Sequence, residues 1–408
     1  LTLTPAVLCR FGPRLAGGNA RQAALRKRWQ GLWRAWGDLL CRRPRAVLLL
    51  GLVPMVMLGA QALRLDLGMP DGDWLPEESP AVEALQRMDD MGRGNLFSAP
   101  LLVATFRPGA TAAERLAAVA TLSRDLAADP RIETLRPAPG GDAAAAQATD
   151  FLSRDGSSLL LLVIPSAELS ASELSTLVAD IRANSRPAAF RSLLVGGPPA
   201  LDRDYRDVVV RFMPLVGAIV MLGAFVILAV GYRSVVLPLK AVLLNLVSVM
   251  AALGALVLVF QESAGGGLSG DADGYGHIFP NIPVLAFVIV FGLSLDYEVF
   301  LFNRVRERHA DGASDRAALV DGLAQTGGVI TSAAIIMIAV FGAFMLGEVL
   351  FVRMLGFTLA AAILIDAFVI RLVLGPAAFV LAGRWNWWPG NARRATAPTA
   401  AAPQAGRR

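Results

Sequence analysis

A carboxylate and a phenol stand side by side within one apolar stretch of the sequence. Asp296 and Tyr297 interrupt a run of apolar residues that begins near Ile278. If a span starts at Ile282 on the outer side of a membrane, Asp296 lies about 21 Å further along the helix, past the midplane. Burial penalises the charged form of a carboxylate and a neighbouring hydroxyl favours it, so such a group can exchange a proton as its access to water changes. We therefore predict an intramembrane proton relay at Asp296 and Tyr297.

A second carboxylate interrupts another apolar run. Asp366 stands within residues 354–370, and Arg371 follows five residues later. The pattern is compatible with a structural pair between Asp366 and a residue on another helix and with a direct part of Asp366 in proton transfer, and the sequence leaves both interpretations open. The hydroxyls of Thr326, Thr331 and Ser332, on the apolar run between the two carboxylates, could bridge them directly or through water.

Glu298 is the third acidic residue in these runs. On a helix it faces roughly away from Asp296 and lies closer to the cytoplasm. We expect it to form a salt bridge at the inner mouth of the bundle, with Arg304 or Arg306 as its partner.

Several other kinds of chemistry have no support in the sequence. The only lysines, Lys27 and Lys240, do not follow the glycine-rich spacing of a phosphate-binding loop, so we expect no ATP hydrolysis. No Ser/His/Asp set is evident, and His277 and His309 are solitary, one near each membrane surface. We expect neither an enzyme nor a bound metal or cofactor, and any active transport must use another energy source.

The composition indicates a membrane protein. Hydrophobic residues make up 55% of the chain and charged residues only 17%, against about 25% in soluble domains. Arginine-rich loops fix the cytoplasmic side, because positive residues concentrate there. The apolar runs then alternate as six complete spans, 46–63, 212–230, 241–260, 278–302, 327–347 and 354–381, with both ends of the chain inside.

A polar region separates the first two of these spans. Residues 65–207 have ordinary polarity and are long enough for a core of their own. Their pattern is strand, helix, strand, repeated once, with strands near 100–106 and 157–164. We predict an extracytoplasmic α/β domain built from ferredoxin-like βαβ units.

The ends of the chain complete the predicted organisation. Residues 1–16 are interpreted as the end of a preceding helix, with upstream sequence missing, and residues 208–383 as a five-helix bundle. The basic segment 17–45, which carries several tryptophans, lies on an anionic inner leaflet or is a solvated cytoplasmic linker, and nucleic-acid binding is not expected. Residues 384–408 are expected to form a disordered cytoplasmic tail.

With these residues in place, the chain resembles the C-terminal half of the MMPL family, in the resistance-nodulation-division (RND) superfamily of transporters. Four motifs carry the resemblance: Gly292-Leu293-Ser294-Leu295-Asp296-Tyr297-Glu298, Thr326-Gly327-Gly328-Val329-Ile330-Thr331-Ser332, Leu364-Ile365-Asp366-Ala367-Phe368-Val369-Ile370-Arg371 and Asn386-Trp387-Trp388-Pro389. The resemblance implies two repeats of six spans, each with an extracytoplasmic porter domain. It also implies that Asp296 and Tyr297 form the family's proton relay, which uses a second Asp-Tyr pair on a fourth helix that this chain does not contain.

The resulting hypothesis is export of lipids, lipid-linked metabolites or hydrophobic drugs across the bacterial plasma membrane, driven by the proton gradient. Its partners would be membrane lipids, protons, a lipidic or amphipathic substrate, and a missing N-terminal half or a second copy, with a homo-oligomer also open. Two alternatives remain: a non-transporting lipid sensor or assembly scaffold on the same fold, and an inactive half-transporter.

Overall fold

A computed structural model describes most of the chain. It covers residues 20–70, 75–76, 78–136, 151–166, 169–184, 188–262 and 274–389, without the side chains of residues 20–26, 184, 296 and 297. The predicted helix end at 1–16 and most of the predicted tail lie outside the described residues.

Two helices open the described chain. Helix α1, Ala20–Arg42, occupies most of the basic segment 17–45, which is predicted to be a linker. Helix α2, Pro44–Gln61, follows after one residue and is apolar enough to cross a membrane. Proline at its first position suits a helix start, because the missing N–H has no intrahelical partner there.

A four-stranded antiparallel sheet follows the first spanning helix. After helix α3, Pro80–Asp90, its strands are β1 Leu101–Phe106, β2 Ile132–Arg136, β3 Ser158–Pro165 and β4 Phe190–Gly196. The strand order is β2-β3-β1-β4, and every neighbouring pair is antiparallel. Strand β2 is therefore parallel to β1, with β3 between them. Strand β4 is parallel to β3, with β1 between them.

Two helices cover one face of this sheet. Helix α4, Ala112–Ala127, joins β1 to β2, and helix α5, Ala171–Asn184, joins β3 to β4. Leucine and valine side chains of these helices, among them Leu122 and Leu177, form one core with strand residues such as Leu161. The alternating burial of β1 reflects this one-sided packing, because successive side chains of a strand point to opposite faces.

The start of α4 carries a reciprocal cap. Thr111 Oγ1 accepts a hydrogen bond from the backbone N–H of Glu114, and the Glu114 carboxylate accepts one from the backbone N–H of Thr111. The backbone N–H and the hydroxyl of Thr111 both donate to the Glu114 carboxylate and hold its pKa below its usual range. This reciprocal pair is a capping box, which a threonine followed three residues later by a glutamate typically forms at a helix start.

Five helices then form the bundle with α2. They are α6 Pro198–Tyr232, α7 Val236–Leu256, α8 Asn281–Ala310, α9 Asp315–Phe344 and α10 Leu350–Leu364. Helix α10 continues as a π-helix, Ile365–Leu374, and as the short helix α11, Gly375–Ala382. In the described part of the chain, six helices are long and apolar enough to cross a membrane, which is the number predicted.

Helix α7 lies at the centre of the bundle. It contacts α2, α6, α8 and α10, and more of its surface is buried than that of α2 or α6. Gly254 makes the crossing with α2 possible, because a Cβ there would collide with the backbone carbonyl of Leu58.

Helix α6 connects the sheet domain directly to the bundle. The span predicted at 212–230 is part of a longer helix that already begins at Pro198. Arg182 of α5 forms hydrogen bonds to both carboxylate oxygens of Asp204, and Arg203 donates to the carbonyl of Ser175. The sheet domain is therefore fastened to the first turns of a membrane helix.

The end of the described chain differs from the prediction. Residues 384–389 are predicted to belong to a disordered tail. In the structure, residues 384–387 are part of a packed 3₁₀ helix, Gly383–Trp387, and residues 388 and 389 follow it. Asn386 and Trp387 are buried, and the Ser234 hydroxyl donates to the Asn386 carbonyl at 2.6 Å. The polar partners near the α6–α7 turn keep this segment folded.

Candidate functional site

The π-helical segment carries the buried ion pair. Arg371 Nε donates to Asp366 Oδ2 at 2.8 Å, and both side chains are more than nine-tenths buried. Hydrogen bonds in a π-helix run between residues five apart, and this wider turn brings positions 366 and 371 to one side of the helix. The two charges compensate each other in a place where neither could be solvated alone.

A serine on helix α8 joins this pair. Arg371 Nη2 donates to Ser294 Oγ at 2.7 Å, and Ser294 Oγ lies 2.8 Å from Asp366 Oδ1. The same hydroxyl lies 2.6 Å from Asn245 Oδ1 on α7. A hydroxyl has one proton, so Ser294 donates either to Asp366 or to Asn245 at any moment. The cluster thus links three helices and contains a hydrogen bond with two alternative acceptors.

The side-chain amide of Asn245 affects whether Ser294 donates to Asn245 or to Asp366. Its Nδ2 is buried and has no hydrogen-bond partner among the described residues. Exchange of the amide oxygen and nitrogen would let Nδ2 donate to Ser294 Oγ and would leave the serine proton to Asp366. The amide orientation therefore decides which carbonyl or carboxyl oxygen receives the serine proton.

A small cavity adjoins the cluster. It has a volume of about 20 Å³ and is lined by Asn245, Glu298 and Arg371, with apolar side chains around them. A volume of about 10–15 Å³ is enough for one water molecule. The space can therefore hold a water between the Glu298 carboxylate and the ion pair.

The structure places Glu298 differently from the prediction. Glu298 follows Ser294 by four residues, so it shares the face of α8 that meets Asn245 and Arg371. Arg304 pairs with Glu307 at 2.7 Å, and Arg306 donates to the carbonyl of Gly231. Among the described residues, no ion pair joins Glu298 to Arg304 or Arg306, and each arginine contacts another group instead.

The predicted relay residues are on the same helix. Asp296 and Tyr297 lie in α8, two and three positions after Ser294. Their side chains lie outside the described part of the structure. Their role in proton transfer stays a prediction.

The hydroxyls of Thr331 and Ser332 are not brought to this cluster. Thr331 Oγ1 donates to the carbonyl of Gly327 at 2.9 Å, and Ser332 Oγ donates to the carbonyl of Val329 at 3.0 Å. Both side chains line a cleft between α9 and α1. Among the described residues, both hydroxyls donate to the backbone of their own helix, and their part in a bridge to Asp296 stays a prediction.

Sequence reasoning missed two members of the cluster. Asn245 and Ser294 were not among the predicted site residues, although both are polar residues in apolar runs. Asn245 shares the run 241–260 with a single other polar side chain, Ser248. An uncompensated amide inside a span is a signal for a hydrogen-bonded neighbour, and it could have identified this position.

Helical spans around a buried ion pair define the chain as a multi-pass membrane protein. The particular assignment comes from sequence comparison: the model of the MMPL family matches residues 73–406, and the chain belongs to that family. The resemblance found in the sequence motifs is thereby confirmed.

The chain is similar to three mycobacterial proteins. It is 35% identical over 398 residues to the heme uptake protein MmpL11 of Mycobacterium tuberculosis, which covers 95% of this chain and 39% of that protein. It is 35% identical over 405 residues to the mycolic acid-containing lipids exporter MmpL11 of Mycolicibacterium smegmatis, covering 95% of the chain and 40% of that protein.

The third relative is the trehalose monomycolate exporter MmpL3 of Mycobacterium tuberculosis. It is 35% identical over 238 residues, which is 57% of this chain and 24% of that protein. The chain spans about two fifths of the length of the MmpL11 relatives.

Proposed function

We propose that this chain is part of an exporter of lipidic or amphipathic molecules, driven by the proton gradient across the plasma membrane. The observation that carries the proposal is the buried Asp366–Arg371 pair, which is hydrogen-bonded to Ser294 on the helix that bears Asp296 and Tyr297. Movement of one proton down a membrane potential releases about 2.3 kcal/mol per 100 mV. Protonation of Asp296 would change the charge beside this cluster and so the packing of α8 against its neighbours.

The hydrogen-bonded group of Asp366, Arg371, Ser294 and Asn245, called the Asp366 cluster below, has a supporting role in this proposal. Arg371 compensates the charge of Asp366, and Ser294 transmits a change in their hydrogen bonding to α8. The small cavity is lined by Glu298 of α8 and by Arg371 of the π-helical segment, so a water there could contact both side chains. Proton transfer at Asp296 and Tyr297 would then be coupled to the hydrogen-bond choice of Ser294 through the helix α8 that carries all three residues.

The sheet domain is proposed to be an extracytoplasmic, ferredoxin-like porter domain. Its strand order, antiparallel pairing and one-sided helices support this assignment. It would receive motion through α6, because Arg182 and Arg203 fasten the domain to the beginning of that helix.

A slot between α6 and α8 is suited to contact with an apolar substrate. Its volume is about 180 Å³, and it is lined by apolar residues and one glycine, among them Phe212, Val216, Phe287 and Val288. One wall belongs to α8, which carries Asp296 and Tyr297, and the other belongs to α6, which leads to the sheet domain. A shift of α8 would therefore change the width of the slot.

The relatives support a lipidic substrate. Two of them are exporters of mycolic acid-containing lipids and of trehalose monomycolate. The third is a heme uptake protein, and heme also has a large apolar surface. Lipids with long acyl chains and heme both belong in a panel of test substrates.

A second half or a second copy is proposed as a partner. The sheet face opposite α4 and α5 exposes the apolar side chains of Leu101, Val103, Leu160 and Leu194. A solvated sheet face is normally polar, so this one suits coverage by a matching domain. The partner would also supply the second Asp-Tyr pair that the family resemblance implies.

The test is transport into inverted vesicles that contain the full-length protein, because the cytoplasmic face of such vesicles points outward. Wild type and Asp296→Asn are compared with and without a proton gradient, with mycolate-type lipids, hydrophobic dyes and heme as substrates. The expected result is gradient-driven export by wild type and its loss in Asp296→Asn. Asp125→Asn is the matched control, because that carboxylate is exposed on α4 of the sheet domain and lies outside the cluster.

Equal gradient-driven export by wild type and Asp296→Asn would contradict the proposed relay. Retained partner binding without any flux in the wild type would favour a lipid sensor or scaffold. Correct insertion of both proteins is verified first, because a misfolded variant also loses export.

A further inference from the structure

A cleft of about 510 Å³ lies along the contact between helix α1 and helix α9. Trp29 and Trp33 form its α1 wall, and Gly328, Val329 and Ser332 lie on its α9 wall. Trp29 and Val329 are each more than half exposed, so the cleft opens to the outside of the molecule. The Asp366 cluster and the apolar slot share no residue with it.

One end of the cleft leads to an apolar surface. Ile335 lines the cleft and is 59% exposed, and Ile336 and Val340 continue the exposed apolar surface of α9. Tryptophans such as Trp29 and Trp33 are typical of the membrane–water interface. This end therefore suits acyl chains.

The other end of the cleft has an excess of positive charge. Arg34 of α1 and Arg308 of α8 approach the single carboxylate of Asp321, with N–O distances of 3.8 Å and 3.7 Å. Gln30 and Gln325 line the cleft one helical turn from Arg34 and Asp321. Two guanidinium groups thus share one carboxylate beside the cleft and leave one positive charge uncompensated.

The two ends are separated by a distance that suits a lipid. Gln325 and Ile335 are ten residues apart on α9, or about 15 Å along the helix axis. An amphiphile in the cleft can therefore place an anionic headgroup beside Arg34 and its chains against Ile335. Guanidinium groups bind phosphate through paired N–H donors.

We propose that this cleft binds an anionic phospholipid from the cytoplasmic leaflet as a resident ligand. Its phosphate would lie near Arg34 and Arg308, and its acyl chains against Val329 and Ile335. The orientation rests on the cytoplasmic placement predicted for the basic segment 17–45, which contains most of α1. Because Arg308 belongs to the relay helix, the lipid would tie α8, α9 and α1 together at the membrane surface.

The test is native mass spectrometry of the delipidated full-length protein, titrated with phosphatidylglycerol and with phosphatidylcholine. Wild type is expected to retain phosphatidylglycerol in preference. Arg34→Gln should weaken that retention about fivefold, equivalent to ~1 kcal/mol for a basic residue at an anionic headgroup. Arg87→Gln is the matched control, because Arg87 is an exposed arginine paired with Glu83 in α3.

A second variant fills the cleft without changing charge. Gly328→Leu is expected to lose retention of phosphatidylglycerol, since the only atom near a Cβ at this position is Trp33 Nε1 at 3.9 Å. Gly342→Leu is its control on the same helix, where a Cβ meets no atom within 4 Å. Circular dichroism shows whether each variant folds, and Arg34→Gln stands alone as the test if Gly328→Leu does not.

Three results would overturn the proposal. One is equal retention of the two lipids by wild type, and another is an equal effect of Arg34→Gln and Arg87→Gln. The third is a folded Gly328→Leu variant that retains phosphatidylglycerol like wild type. Export is not the readout, so failure of the lipid site and failure of the proposed transport can be distinguished.

Discussion

Ser294 and Asp366 are 72 positions apart in the sequence, and the hydroxyl of one lies 2.8 Å from the carboxylate of the other. Their contact connects α8 with the π-helical segment through a single side chain. Because Arg371 also donates to Ser294, the serine is part of the ion pair's environment and not only a helix contact. Any movement of α8 relative to the last span must break or exchange this hydrogen bond.

Ser294→Ala is expected to slow export without abolishing it and to lower stability by about 1–3 kcal/mol. Loss of the hydroxyl weakens the satisfaction of buried polar groups while the Asp366–Arg371 pair remains. Thermal unfolding in detergent and gradient-driven export measure the two effects.

Ser172→Ala is the control for this variant. Its side chain is exposed in the first turn of α5 and lies outside the ion-pair cluster, so a change within about 0.5 kcal/mol is expected. Equal effects of the two substitutions would contradict a special role of Ser294.

Asp366→Asn and Arg371→Gln are each expected to be strongly destabilising, by about 3–5 kcal/mol, because each leaves a buried charge without its main partner. The double variant should cost less than the sum of the two, since both charges are then removed. Thermal unfolding of the four proteins in a double-mutant cycle measures the coupling. Additive losses would show that the two side chains act independently.

The spans and the sheet were predictable because each has a strong local pattern. Long apolar runs such as that of α7 specify a span by length and composition. Alternating burial in β1 and the Thr111–Glu114 cap are also local signals, and both agree with the structure.

The rotation of each membrane helix was not predictable in the same way. Helix α9 is apolar around most of its surface, so its sequence does not specify which face meets the bundle. Thr331 and Ser332 were expected near the carboxylates, whereas this face of α9 meets α1. The π-helix and the meeting of Asn245 with Ser294 depend on contacts between separate spans, which no local pattern contains.

Gly254→Ala is expected to destabilise the bundle by about 1–3 kcal/mol or more. A Cβ at this position would collide with the backbone carbonyl of Leu58, which cannot move aside as a flexible side chain can. Gly223→Ala in α6 is the matched control, because its Cβ meets no atom within 4 Å. There the gain in helix propensity should stabilise by about 0.5–1 kcal/mol. Thermal unfolding compares both variants, and equal effects would contradict the close crossing of α2 and α7.

Acid is expected to weaken the sheet domain through Asp129. Hydrogen bonds from Arg131 hold the pKa of Asp129 below its usual range. A carboxyl group with a lower pKa in the folded state stabilises the fold at pH values above its unfolded pKa of about 3.9. This stabilisation is lost as the pH falls below that value and through the lower folded pKa.

Arg131→Met removes the donor and tests this dependence. Because the ion pair is partly exposed, we expect a loss of no more than about 1 kcal/mol at pH 7. The variant should also lose less stability than wild type between pH 7 and pH 3, since its Asp129 titrates nearer the unfolded value. Differential scanning calorimetry at the two pH values checks this, with Arg87→Met in the exposed Glu83 pair as the control. Parallel acid losses in wild type and Arg131→Met would contradict the assigned role of Arg131.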